Sequence, residues 1–191
     1  MKTPTQSRPS RGFTLIELLV VITIIAVLAG AGFVVGNSAL NNARKLASQA
    51  SAMSIQKAID AFYSEYGTFP VTGSVDRIDT SSSPEILNAL LGKDETLNPR
   101  GLPFLTAKEG KKRGSGGADG LVFSDDGSVR GMYDSWGNGF IIILNSNFED
   151  QLRFTTSDSK SVTLNGRNAA VFSPGVPEGE TATTKTLVKS W

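Results

Sequence analysis

Residues 13–35 read FTLIELLVVITIIAVLAGAGFVV, and Glu17 is the single charge among them. A helix of about 20 residues spans the hydrocarbon core of a bilayer. A run this long, and apolar on every side, suits lipid better than the core of a small domain. Ahead of it, Met1–Gly12 carries Lys2, Arg8 and Arg11 and no acid. A positive flank stays cytoplasmic, which sends everything from Gly36 onward across the membrane. A secretory signal peptide is the rival reading. Its apolar core is about 7 to 15 residues long and ends at a small-residue cleavage site. The run here is longer and passes smoothly into a helical pattern.

The rest of the composition narrows the chemistry. At 191 residues the chain holds one ordinary domain and an appendage. Its 19 Lys+Arg balance 18 Asp+Glu, which argues against a nucleic-acid binder working through charge. Histidine and cysteine are absent. Disulfide scaffolds, thiolate zinc sites, thiol nucleophiles and histidine-based acid–base catalysis are thereby excluded. Ser115 has no histidine to activate it, and Glu149-Asp150 reads as an ordinary acidic turn. The chain is expected not to be an enzyme.

Glu17 lies five residues into the apolar run, one turn from its polar edge. An acid at bilayer depth is costly. One reading is an end-of-helix carboxylate that snorkels to the interface. The other is an intramembrane charge awaiting a cation, and an amine freed at Phe13 would supply one.

Asn37–Tyr66 reads as an amphipathic helix. Leu40, Ala43, Leu46, Ala50, Met53, Ile59, Phe62 and Tyr66 recur at spacings near three and four, opposite Asn42, Lys45, Gln49, Gln56 and Asp60. No proline interrupts Phe13–Phe69, so anchor and stripe form one helix, with Gly30, Gly32 and Gly36 as weak points. Gly67 and Pro70 stop it. A mixed loop follows, then a short helix Glu85–Leu91 with Ser83 as cap and Pro84 in its first turn. Arg100–Gly120, rich in glycine and lysine, reads as a flexible surface loop. Residues 121–123 and 129–133 flank an Asp-Gly turn and predict a hairpin. Phe140–Leu144 predicts a buried strand paired with Gln151–Thr155, and Ala169–Ser173 and Thr186–Ser190 complete the strands. The expected fold is α+β, a long N-terminal helix packed on a small antiparallel sheet.

The junction Arg11-Gly12-Phe13-Thr14-Leu15-Ile16-Glu17-Leu18-Leu19-Val20-Val21-Ile22 resembles the class III signal of type IV pilins and type II secretion pseudopilins. The resemblance implies that prepilin peptidase cuts after Gly12 and methylates Phe13. It makes Glu17 the residue that guides assembly. Three further segments resemble the major pseudopilin of type II secretion. Ala61–Pro70, AFYSEYGTFP, is similar to its helix end. Tyr133-Asp134-Ser135-Trp136-Gly137-Asn138 is similar to its D-P-W-G-N-P signature, with Ser135 in place of the first proline and Gly139 of the second. The ending from Val171 to Trp191 is similar to its C-terminal loop and terminal tryptophan. Many classical pilins carry a C-terminal disulfide, and this chain has no cysteine to form one.

The resemblance divides the chain into a cytoplasmic leader, 1–12, a transmembrane and assembly helix, 13–35, and a periplasmic pilin-like domain, 36–191. The leader takes three of the 19 basic residues with it, so the mature chain has two more acids than bases. The implied function is a structural subunit of a pseudopilus in the bacterial inner membrane. The implied partners are copies of itself in a filament, other pseudopilins, prepilin peptidase and the inner-membrane assembly platform, and not nucleic acid. A type IV pilin or minor pilin, and a single-pass anchored binding domain that never polymerises, are the alternatives. Major pseudopilins hold calcium in the C-terminal loop with aspartates. Here Pro174–Thr186 has only Glu178 and Glu180 as acids. Asp125, Asp126 and Asp134 form another acidic group, of a kind common in turns without metal. No cofactor is expected beyond calcium at one of these two places.

Overall fold

The computed structural model describes residues 13–176 and 187–191, with the side chains of 31–38 outside that set. Two compact units divide at Asn42 and Ala43. Helix α1, Leu15–Tyr66, runs through the boundary unbroken by its glycines. In the first unit its described side chains are exposed. Among the described residues no helix is long and apolar enough to cross a membrane. The described apolar side chains end at Gly30, and the expected span 13–35 continues into residues whose side chains are not described.

The second unit is an α+β domain. After α1 come β1 (Arg77–Asp79), α2 (Glu85–Leu90), β2 (Lys111–Arg113), β3 (Gly116–Ala118), β4 (Gly120–Phe123) and β5 (Val129–Tyr133). The chain continues through β6 (Ile141–Leu144), β7 (Gln151–Thr155), β8 (Ser161–Asn165), β9 (Ala169–Ser173) and β10 (Val188–Lys189). An antiparallel sheet of four strands has the order β1-β6-β9-β10. Three two-stranded ladders, β2-β3, β4-β5 and β7-β8, surround it.

Strand side chains alternate between faces, and the register shows how both faces of the sheet are covered. Ile142 opposes Val171 and Leu144 opposes Ala169. These four join Ala52, Ile55, Ile59 and Phe62 of α1 and Leu87 of α2 in the main core. Ile141 opposes Phe172 and Ile143 opposes Ala170. These pack under Leu152, Phe154, Leu164 and Trp191 in a second core. The Trp191 ring stands nearly perpendicular to those of Phe154 and Phe172, with centroids 5.4 and 6.2 Å away. Burial on both faces explains the unbroken apolar run of β6.

It also overturns the expected pairing of β6 with Gln151–Thr155. β6 is flanked by β1 and β9, and β7 turns back on β8. The half-exposed alternation of β7 suits a ribbon lying over the sheet, not a strand inside it. Strand β1 stands in the expected mixed loop, and β8 in a stretch for which no strand was expected.

The helix stripe is rotated from the expected one. Buried residues run Ser48, Ala52, Ile55, Ile59 and Phe62, at alternating spacings of four and three. Ile59 and Phe62 were expected there, but Leu40, Ala43, Leu46, Ala50 and Met53 are exposed and Gln56 is buried. Ser48 is buried because its hydroxyl meets the Ser135 N–H, and Ala52 and Ile55 lie on the same face as Ile59 and Phe62. Gly67 closes α1, its N–H donating to Tyr63 O at 2.8 Å. Helix α2 begins at Pro84 without a side-chain cap, so Ser83 does not fill that role.

The expected flexible loop Arg100–Gly120 contains the β2-β3 hairpin. Its two-residue turn is Gly114-Ser115, with Gly114 at φ +52° and Ser115 outside the positive-φ residues, as a type II′ turn requires. Gly120 ends the segment in close contact. A Cβ there would stand 2.2 Å from Lys108 O. The hairpin of β4 and β5 across the Asp-Gly turn forms as expected, with a bulge at Val122/Phe123.

Candidate functional site

At the start of α1, Thr14 and Glu17 form a reciprocal cap. The Glu17 carboxylate accepts from the Thr14 N–H at 2.8 Å and from its hydroxyl at 2.7 Å. The Glu17 N–H donates to Thr14 Oγ1 at 3.3 Å. This is a capping box, and it satisfies donors that a helix start leaves unpaired. The spacing Thr14-x-x-Glu17 is the sequence signature of such a box, so Glu17 is a capping residue as well as the isolated charge of the apolar run. A negative group in the first turn also matches the helix dipole. Phe13 precedes the box and is 81 % exposed. Gly12 lies outside the described residues. Beyond the cap, Leu15, Ile16, Leu18 and Leu19 are exposed. Thr23 hides its hydroxyl by donating to Leu19 O at 2.7 Å, leaving the surface apolar.

The acidic candidates separate into two environments. Asp125 and Asp126 sit in the turn before β5. Asp125 takes a hydrogen bond and charge from Lys112, which hold its carboxyl below the usual range. Asp126 accepts from Ser128 N at 2.9 Å and Ser128 Oγ at 2.7 Å, and these donors lower it too. Asp134 follows β5. Five residues at about 3.3 Å each put roughly 16 Å between Asp134 and that turn. The three acids do not converge.

Asp134 is 1 % exposed, and donors fill its acceptor sites. Oδ1 accepts from the Trp136 and Asn138 N–H groups, each at 2.8 Å. Oδ2 accepts from Asn138 Nδ2 at 2.9 Å and from the Ser173 hydroxyl. A carboxylate offers about four lone-pair directions, and four donors occupy them, so Asp134 has none to give a cation. Among the described residues no three acids gather to hold a metal. Glu178 and Glu180 lie outside the described residues.

The Asp134 loop is a structural junction. Asn138 Nδ2 also donates to Gly175 O at 2.6 Å, tying in the segment after β9. The Asp119 N–H donates to Asp134 O at 2.9 Å, tying in the link between β3 and β4. The Ser135 N–H donates to Ser48 Oγ at 3.0 Å, tying in α1. A proline at 135 would have no N–H for that bond. Ser48, Ser173 and Gly175 carried no signal in the sequence, because their roles depend on what lies beside them after folding.

Residues 7–33 match the family described as the Prokaryotic N-terminal methylation motif. No curated protein and no solved structure shows significant similarity to the chain. The motif covers Gly12, Phe13 and Glu17 and supports a type IV pilin-like signal at this end.

Proposed function

We propose that the chain is a structural subunit of a type II secretion pseudopilus. The methylation motif over residues 7–33 carries the reading. Prepilin peptidase removes 1–12 and methylates Phe13. The helix over 13–35 anchors the subunit in the inner membrane, with the pilin-like domain 36–191 in the periplasm. Assembly through the platform then bundles this helix with those of neighbouring copies and other pseudopilins. The work done is packing, not catalysis. Glu17, held by Thr14 in the single chain, exchanges that partner for a neighbour's Phe13 amine. A charge pair removed from water holds its register strongly, because either charge left alone is costly.

Three further features support the branch chosen: the helix stop at Gly67, the Asp134 loop bound to Ser173 and Gly175, and the packed terminal Trp191. Intact-mass measurement of protein from its host's membranes tests the processing. Loss of Met1–Gly12 and gain of one methyl group is the expected result. A full-length, unmethylated chain in a host with active prepilin peptidase would overturn it and favour a plain anchor. Gene deletion then separates the branches. Retention of exported proteins in the periplasm supports a pseudopilus, whereas lost surface filaments with export intact points to a type IV pilin.

A further inference from the structure

The loop between β6 and β7 presents an aromatic side chain to solvent at a conformational cost. Phe148 is 64 % exposed and has φ +54°, in the left-handed region that a bulky L-residue avoids. Asn145 fixes the loop. Its O accepts from the Phe148 N–H at 3.1 Å, its Oδ1 accepts from the Glu149 N–H at 3.0 Å, and its Nδ2 donates to Glu149 O at 2.7 Å. Behind Phe148, the ring of Phe69 lies nearly parallel at 6.0 Å, with Tyr63 stacked on Phe69 at 5.0 Å. The tip is therefore preorganised. From Asn145 to Asp150 it carries two acids, Glu149 and Asp150, and no base. Arg167 lies at its base, where its backbone O accepts from Asn145 and its charge faces Asp60.

The domain's segment of α1 offers the complement. Leu46, Ala50 and Met53 fall on one helical face, away from the buried Ser48–Phe62 stripe, and are exposed. Lys57 extends that face by one turn. Lys57 is the one charged side chain on that face up to Ile59, and Asp60 beyond it is engaged by Asn168 and Arg167. None of Lys57, Glu149 and Asp150 takes part in an ion pair among the described residues. An apolar stripe ending in Lys57 thus has no cover among the described residues, and an apolar tip with acids only belongs to the same domain.

We propose that the Phe148 tip of one copy docks on the Leu46-Ala50-Met53 stripe of a second copy, with Glu149 and Asp150 toward Lys57. This rests on the filament-subunit reading and names one lateral contact of that filament. Tip and stripe are different surfaces, so the contact is heterologous and repeats from copy to copy instead of closing a dimer. An aromatic anchor with a charged rim is the usual anatomy of such a contact.

The absence of native cysteine makes a clean test. Full-length chains carrying Lys57→Cys and Glu149→Cys together are expressed in the host's secretion system and oxidised with copper in air. The double variant should give a ladder of dimers, trimers and larger species. Each single variant alone should stay monomeric, and a mixture of the two singles should stop at dimers. Separately, Phe148→Ala should weaken subunit association about thirtyfold or more, the scale of a hot-spot residue, and Phe148→Tyr should preserve it. Lys57→Glu should block assembly, and Glu149→Lys in the same chain should restore it. Methylated chains that assemble normally but give no ladder, or that keep full assembly with Phe148→Ala, overturn the contact and leave the filament reading intact. Unsubstituted chains that are neither cleaved nor assembled overturn both.

Discussion

Replacing Asp134 with alanine removes the acceptor shared by Trp136 N–H, Asn138 N–H, Asn138 Nδ2 and Ser173 Oγ. Ser173 is fully buried, whereas Trp136 and Asn138 are half-buried and regain water in part. Relief from burying the carboxylate offsets some of the loss. At about 1 kcal/mol for each stranded donor before those offsets, Asp134→Ala should cost about 2 to 4 kcal/mol. Asp134→Asn keeps one acceptor oxygen for the two backbone N–H groups and opposes its own amide to Asn138 Nδ2, while the Ser173 hydroxyl can turn to accept from it. It should cost about 2 kcal/mol. Urea unfolding of the full chain in mild detergent, followed by the emission of Trp136 and Trp191 together, reads both values. Ser173→Ala supplies the cross-check. It should cost about 1 to 2 kcal/mol alone and little more in the Asp134→Ala background, because the two share one bond. A loss below about 1 kcal/mol for Asp134→Ala, or full additivity with Ser173→Ala, would refute the assignment of Asp134 as the bonded centre of this loop.

Asn98 makes a comparable set, donating to Ala89 O and Leu102 O and accepting from Tyr66 Oη and Leu102 N. Asn98→Ala should cost about 3 kcal/mol in the same unfolding assay, and Tyr66→Phe, which removes one of the four bonds, about 1 kcal/mol. On the helix, Ile55→Ala should cost about 2 to 5 kcal/mol and Leu46→Ala less than about 0.5 kcal/mol in unassembled chains, and equal losses would contradict the rotated stripe. Burial raises the Asp60 carboxyl above its usual range, against opposing effects of Asn168 and Arg167. The folded state then binds the proton more tightly than the unfolded one, so this contribution is present in acid and lost as pH rises through the folded value. Asp60→Asn should flatten the fall in stability just above the ordinary carboxylate range, as read by unfolding midpoints across pH. For Asp158, lowered by Thr156 and Lys160, the sign is opposite. Its contribution is present at neutral pH and lost in acid, and Asp158→Asn should remove that acid-side loss.

Local signals decided a good part of this protein. The apolar run with its basic flank, the Gly12-Phe13 junction and Glu17 are contiguous, and contiguous patterns survive without a structure. The helix stop at Gly67, the Asp-Gly hairpin and the buried runs at 141–144 and 169–173 are local in the same sense. Some local signals were legible and passed over, namely the Thr14-x-x-Glu17 box and the Gly114-Ser115 turn within a segment whose glycine content suggested disorder. Other features belong to the fold alone. Which face of α1 is buried was settled by its partners: Ile55, Ile59 and Phe62 enter the core and Ser48 meets Ser135, while the bulky Leu46 and Met53 stay exposed. The partner of β6 followed from both its faces needing cover, a demand that one strand's sequence states without naming what will meet it. Asp134 looked like a metal ligand because an acid in a turn is compatible with one. Only the folded chain brought Ser173 and Asn138 to its free oxygen and turned it into a joint. Sequence settles what a segment can do by itself, through periodicity, charge and turn chemistry. Contacts between distant segments depend on the shape and satisfaction of all of them at once, and those only the tertiary structure decides.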